Sequence, residues 1–98
     1  MTAVHPVTLR RTIEALDDRH LAVLAILVAA DGALLSAAIR ERLDGTGPPS
    51  VRGVAGVVVA LCGHHLAAPG VRKRGVDGLM KATWVATDRG RQVAAMVA

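Results

Sequence analysis

SVRGVAGVVVALCG (residues 50–63), then a basic stretch, then WVATDRGRQVAAMV (residues 84–97), is the part of this 98-residue chain that decides its fold. Ser50 stands just before an apolar run of helical period, where a hydroxyl oxygen accepts a hydrogen bond from a free N–H of the first turn. At ~100° per residue, one side of this helix carries Val51, Val54, Ala55, Val58, Leu61 and Cys62, which reads as a core face. The other side carries Arg52, Gly53, Gly56, Ala60 and Gly63, with Val59 at its edge. Two internal glycines cost roughly 1 kcal/mol each relative to alanine. This face is therefore expected to need close approach of its backbone, by a groove or by another helix.

Downstream, after His64 and His65, residues 66–74 and 80–87 are expected to pair as two strands of a hairpin, with Val76, Asp77 and Gly78 supplying the turn. Arg72, Lys73, Arg74 and Lys81 lie on or beside it, opposed only by Asp77. Thr87 or Asp88 is placed to cap a last helix whose apolar side is Val93, Met96 and Val97. Residues 1–49 carry five Lys/Arg against six Asp/Glu, whereas residues 50–98 carry seven against two. The positive field thus belongs to the second half.

Upstream, residues 1–8 contain Pro6 and no periodic pattern, and are expected to be an arm or a loose start to a first helix. Leu9, Ile13 and Leu16 give that helix a short apolar stripe. Asp17 or Asp18 caps a stronger helix over residues 19–30, ended by Asp31 and Gly32. It is apolar on nearly every side, which implies burial at the centre of the fold. Ser36 is a candidate N-cap for a helix over residues 37–43, with Ile39 and Leu43 inward and Asp44 and Gly45 at its end. The cluster GTGPPS (residues 45–50) is a turn in which Pro49 restricts the chain before Ser50. Two helices joined by a tight turn make a helix-turn-helix pattern.

A chain of this length fits a single domain over residues 1–98, with residues 1–16 as arm or short helix and residues 17–97 as its core. Trp84 is the only aromatic residue, so the core must be aliphatic, and Trp84 reads as the anchor of the second hairpin strand. With ten Arg, two Lys and a pI near 10.6, an acidic partner is favoured, nucleic acid or an anionic surface. The lone Cys62 excludes an intramolecular disulfide and points to a reducing cytoplasm. The apolar runs fall short of the ~20 residues that cross a bilayer, and no secretory signal is visible at the N-terminus, so no membrane association is expected.

The stretches LLSAAIRERL (residues 34–43), SVRGVAGVVVALCGHHL (residues 50–66) and WVATDRGRQVAAMV resemble, over residues 17–97, the winged-helix domains of MarR-type and PadR-type bacterial regulators. The resemblance implies a mainly α fold with a small two-stranded β-hairpin, an α+β winged helix-turn-helix. It implies that residues 50–63 are a recognition helix, that the basic hairpin is the wing, and that the protein is a cytoplasmic transcription regulator or repressor acting as a homodimer on double-stranded DNA. Ser50, Arg52, Gly53, Gly56, Arg72, Lys73, Arg74 and Lys81 are then the candidate DNA-binding residues.

Two features depart from the family pattern. Only Ser50 and Arg52 reach base edges from the recognition helix, where relatives expose several polar side chains. The chain also has short ends in place of the long dimerising helices of MarR-type regulators. The glycine-bearing face keeps a second reading open, an adaptor that binds a protein partner through small residues. Cys62, His64 and His65 lack a fourth ligand and Cys62 falls on the core side, so no metal is expected, nor any cofactor. No nucleophile sits beside a base and an orienting group, and phosphate-binding glycine loops are absent, so an enzyme is not expected.

Overall fold

The computed structural model of the chain describes residues 6–30, 32–45, 48 and 50–97. Residues 1–5 of the expected arm, the expected helix stop at Asp31, and the turn residues Thr46, Gly47 and Pro49 lie outside the described residues. In chain order the elements are α1 (Pro6–Glu14), α2 (Asp18–Ala29), β1 (Leu34–Leu35), α3 (Ser36–Leu43), α4 (Val51–Gly63), β2 (Ala67–Pro69), β3 (Lys73–Arg74), β4 (Met80–Lys81), β5 (Thr83–Ala86) and α5 (Asp88–Val97).

Helix α1 opens at Pro6, earlier than the expected Leu9, because the first-turn N–H groups have no intrahelical partner and proline gives up nothing there. Asp17 caps α2, its carboxylate accepting the His20 N–H at 3.0 Å. Val23, Leu24 and Leu27 of α2 are buried, and the helix packs against α3, α4, α5 and β5. Its central position follows from its all-round apolar sequence.

The role expected of Ser36 is corrected. Ser36 is itself the first residue of α3, Leu35 occupies the cap position, and no side chain caps the helix. Leu34 and Leu35 form a strand, so the chain enters α3 directly from extended backbone. The Ser36 hydroxyl accepts instead from Trp84 Nε1 at 3.2 Å. At the far end of α3, Asp44 (φ 48°) and Gly45 (φ 87°) turn the chain through the left-handed region, as their sequence suggested.

The expected hairpin is present, and a third strand joins it. Strand β5 lies between β1 and β2, antiparallel to both, with Leu34 opposite Trp84 and Ala67 opposite Ala86. Further out the hairpin continues as β3 and β4, with Lys73 opposite Lys81 and Arg74 opposite Met80. Between the Gly70 N–H to Thr83 C=O bond (2.9 Å) and the Lys73–Lys81 pair, two residues, Val71 and Arg72, stand opposite one, Ala82. This is a β-bulge, which bends the ribbon and raises its twist. The buried Thr83 hydroxyl donates to the Val71 carbonyl at 2.6 Å and so takes up a polar group that the bulge leaves out of the ladder.

The core joins Ile39 and Leu43 of α3, Val54, Val58 and Leu61 of α4, Leu66, and Val93 of α5 to the buried side of α2. A fully buried leucine or valine contributes roughly 1.5–3 kcal/mol. The expected core membership of Val51 is corrected: it is 43% exposed, because the first turn of α4 projects past the edge of the core. Met96 and Val97, read as the apolar side of α5, are exposed as well, and Gly90 and Val93 are the buried positions of that helix.

Candidate nucleic-acid interface

The start of α4 is built by Ser50, whose Oγ accepts the Gly53 N–H at 3.0 Å. A Cβ at Gly53 would lie 3.1 Å from Pro48 Cβ and 3.2 Å from Ser50 Oγ, so this glycine serves the turn that opens the helix. Gly56 differs: nothing lies within 4 Å of a Cβ placed there. Packing within the described residues therefore gives no reason for a glycine at this position. Arg52 is exposed beside it, and Val59 is 60% exposed on the same outer face. The outer face of α4 is thus small and apolar with one cation, as its residue spacing implied.

On the hairpin, Arg72, Lys73, Arg74 and Lys81 are all exposed, and each is held by a local contact that sequence could not reveal. Arg72 Nη2 donates to the Met80 carbonyl at 3.5 Å and Arg74 Nη1 to the Gly78 carbonyl at 2.6 Å. Lys73 Nζ reaches the Ala33 carbonyl, just before β1, at 3.0 Å. Lys81 Nζ pairs with the Asp77 carboxylate at 3.0 Å. The Leu79 backbone N–H and then Lys81 hold the Asp77 carboxyl below its usual value. Lys73 and Lys81 are opposite each other in the ladder, but their ammonium groups go to different partners, the Ala33 carbonyl and the Asp77 carboxylate.

The hairpin curls beside α4. A cleft of about 290 Å³ is lined by Ser36, by Val51 and Ala55 of α4, by Gly75, Val76, Lys81 and Ala82 of the hairpin, and by Trp84. Lys81 is therefore brought next to the first turn of α4, while the Arg72 and Arg74 guanidiniums lie along the ribbon. Two further cations of the second half lie on α5: the half-buried Arg89 donates to Thr12 of α1 at 3.2 Å, and the exposed Arg91 to the Val28 carbonyl of α2 at 3.5 Å. They attach α5 to the body, and Arg89 is partly withdrawn from the outward-facing charge.

Cys62 is half-buried against the core, and desolvation pushes its thiol up. Among the described residues, no group of three or more His, Cys, Asp or Glu side chains is placed to hold a metal. No helix in them is long and apolar enough to cross a membrane.

No protein-family model matches the sequence, and no curated protein is significantly similar to it. Among solved structures, a MarR family regulator from Neisseria meningitidis superposes with a TM-score of 0.61 and 23% identity, over 90% of this chain and 56% of that one. The fold is a winged helix of the MarR type. In winged-helix terms α3 and α4 are the helix-turn-helix pair and the β2–β5 hairpin is the wing. The chain spans little more than half the length of that regulator.

Proposed function

We propose that this winged helix binds double-stranded DNA and regulates transcription from the cytoplasm, with residues 17–97 as the binding unit. The observation that best supports this is the shared cleft: Val51 and Ala55 at the start of α4 line it together with Lys81 of the basic wing, and Arg52 is exposed next to Val51 on the same helix turn. In this reading α4 enters the major groove with Arg52 foremost, on a guanine edge or a phosphate. Gly53 and Gly56 let the helix backbone approach, and Ser50 adds a phosphate contact beside its capping role. Arg72, Lys73, Arg74 and Lys81 exchange their local carbonyl and carboxylate partners for phosphates of the flanking backbone. Two copies, joined through apolar ends such as Met96 and Val97, would place two recognition helices about 34–36 Å apart on successive turns.

The test is fluorescence anisotropy with random duplex DNA and with the upstream region of the protein's own gene, at low and physiological salt. About five phosphate contacts per subunit give a slope of log affinity against log salt near −4 to −5. Wild type should show this slope, and an Arg72→Ala/Arg74→Ala variant should bind more weakly with about two units of the slope lost. Absence of binding to either duplex at low salt removes the DNA reading.

One observation favours a second function, an adaptor that binds protein through α4. The outer face of α4 has a single charged side chain, and Gly56 faces open space. This reading expects Gly56→Leu to abolish partner binding and the arginine substitutions to have little effect.

A further inference from the structure

We propose that the tip of the wing is an apolar blade that enters a base step in the minor groove and bends the duplex. This inference rests on the DNA reading above and adds to it a role for side chains other than the cations. The tip exposes Val76 fully and Leu79 to 64%, with Met80 at 49%. Leu79 stands across the ribbon from Gly75, whose N–H donates to the Leu79 carbonyl at 2.8 Å, so no cross-strand side chain covers it.

The tip is held in place before any partner arrives. The Leu79 N–H donates to the Asp77 carboxylate at 3.1 Å, its carbonyl is taken by Gly75, and Gly78 N–H closes the turn onto the Gly75 carbonyl at 3.0 Å. Gly78 has φ +81°, which a glycine adopts without strain. Both backbone polar groups of Leu79 are thereby fixed, and its side chain is presented on a rigid support.

Shape decides the partner. Leu79 comes just before β4 and its carbonyl extends the ladder to Gly75, so Leu79 and Met80, the first residue of β4, fall on opposite faces of the ribbon. The end of the ribbon is therefore apolar on both sides and basic behind, with Lys81, Arg74 and Arg72 following. A membrane surface calls for apolar groups gathered on one face. A slot between two base pairs has two apolar walls and phosphates on either side, which is the arrangement that side-chain wedges use to kink DNA. The wing cations would hold the flanking phosphates while Leu79 unstacks the step and Val76, exposed at the same turn, covers the edge toward α4.

The experiment measures binding and bending separately, on duplexes of about 30 base pairs carrying dyes at both ends, with 2-aminopurine moved through the site. Wild type should shorten the end-to-end distance by an amount fitting a bend on the order of 20–90°, and one 2-aminopurine position should brighten. Val76→Ser/Leu79→Ser should still bind with an unchanged salt slope but lose both signals. Leu79→Ala, a smaller change, should lose most of the 2-aminopurine signal with the same thermal melt as wild type. Salt-sensitive binding without bending, or bending retained in both variants, overturns the wedge and leaves the DNA reading standing. Absence of duplex binding, with attachment to phosphatidylcholine–phosphatidylserine vesicles that the double variant loses, overturns both and assigns the blade to a lipid surface.

Discussion

Gly90 lies so close to Leu66 that a side-chain carbon on it would collide with the Leu66 carbonyl. The contact explains the TDRG signature at the start of α5. Thr87 N–H donates to that same carbonyl at 3.1 Å, its hydroxyl donates to the His65 carbonyl at 2.6 Å, and its oxygen accepts the Gly90 N–H at 3.0 Å. Threonine stitches the last helix to the turn after α4, and glycine lets it lie flat there. Gly90→Ala must push α5 away from a backbone atom that has no rotamer to escape into. The expected loss is about 1–3 kcal/mol of stability, or more if α5 detaches, checked by urea denaturation.

Gly56 makes the opposite prediction. It sits in the middle of α4 with nothing within 4 Å of the missing Cβ, so alanine adds no collision and removes the entropy that glycine loses on folding. Gly56→Ala should stabilise the fold by roughly 0.5–1 kcal/mol. A thermal melt that falls instead would mean that some contact outside the described residues uses the bare backbone.

These two glycines show what can be read from residues alone. Ser50 before an apolar run placed the start of α4, and Thr87 or Asp88 the start of α5, because capping is local chemistry. The face of α4 that points outward also followed from spacing. Strand β1 did not: Leu34–Leu35 is two residues long and has no alternation to detect, and it exists because β5 offers it a partner from some fifty residues away. The same holds for Ser36, a plausible cap by its neighbours but bound to Trp84 by tertiary contact. Of the candidate site, the clustering of wing cations was legible. Their local partners, the apolar tip and the contacts of Arg89 and Arg91 with the body depend on where the hairpin and α5 pack.

Acid should unfold the protein partly through Asp17. Its carboxylate accepts from the His20 ring at 2.6 Å and from the His20 N–H, and these bonds hold it below its usual value. A carboxyl depressed in the folded state stabilises the fold above its ordinary range, about pH 4, and this contribution disappears as pH falls through the lowered value. Asp17→Asn keeps an oxygen for the cap but cannot titrate, so its melting temperature should fall less steeply than wild type between about pH 4 and the lowered value. Parallel curves for the two proteins would show that another group governs the acid limb.

Asp77 is the acidic residue of the wing, and removing its charge should improve DNA binding. It occupies Lys81 through a 3.0 Å ion pair that DNA phosphates would have to replace. Asp77→Asn retains an acceptor for the Leu79 N–H, so the turn is expected to persist. Affinity for duplex DNA should rise because Lys81 no longer has to leave an ion pair, while the salt slope stays near the wild-type value, since Lys81 meets a phosphate in both proteins. Unchanged affinity in the anisotropy titration would place Lys81 outside the contact.

Pairing Gly56→Leu with Arg72→Ala/Arg74→Ala separates the two uses of this fold. Space around Gly56 admits a leucine, and leucine is a better helix former than glycine, so the variant should fold at least as well as wild type. Its side chain would stand on the outer face of α4 and hold off whatever docks there. If that is a DNA groove, affinity falls while the salt slope stays near the wild-type value, since no cation has been removed. The double arginine variant behaves in the other way, losing about two units of slope together with affinity. A protein-binding α4 predicts a different pattern, in which Gly56→Leu abolishes the complex and the arginine variant binds as before with little dependence on salt. Measuring both variants against both kinds of partner over a salt series gives each reading an outcome that the other forbids.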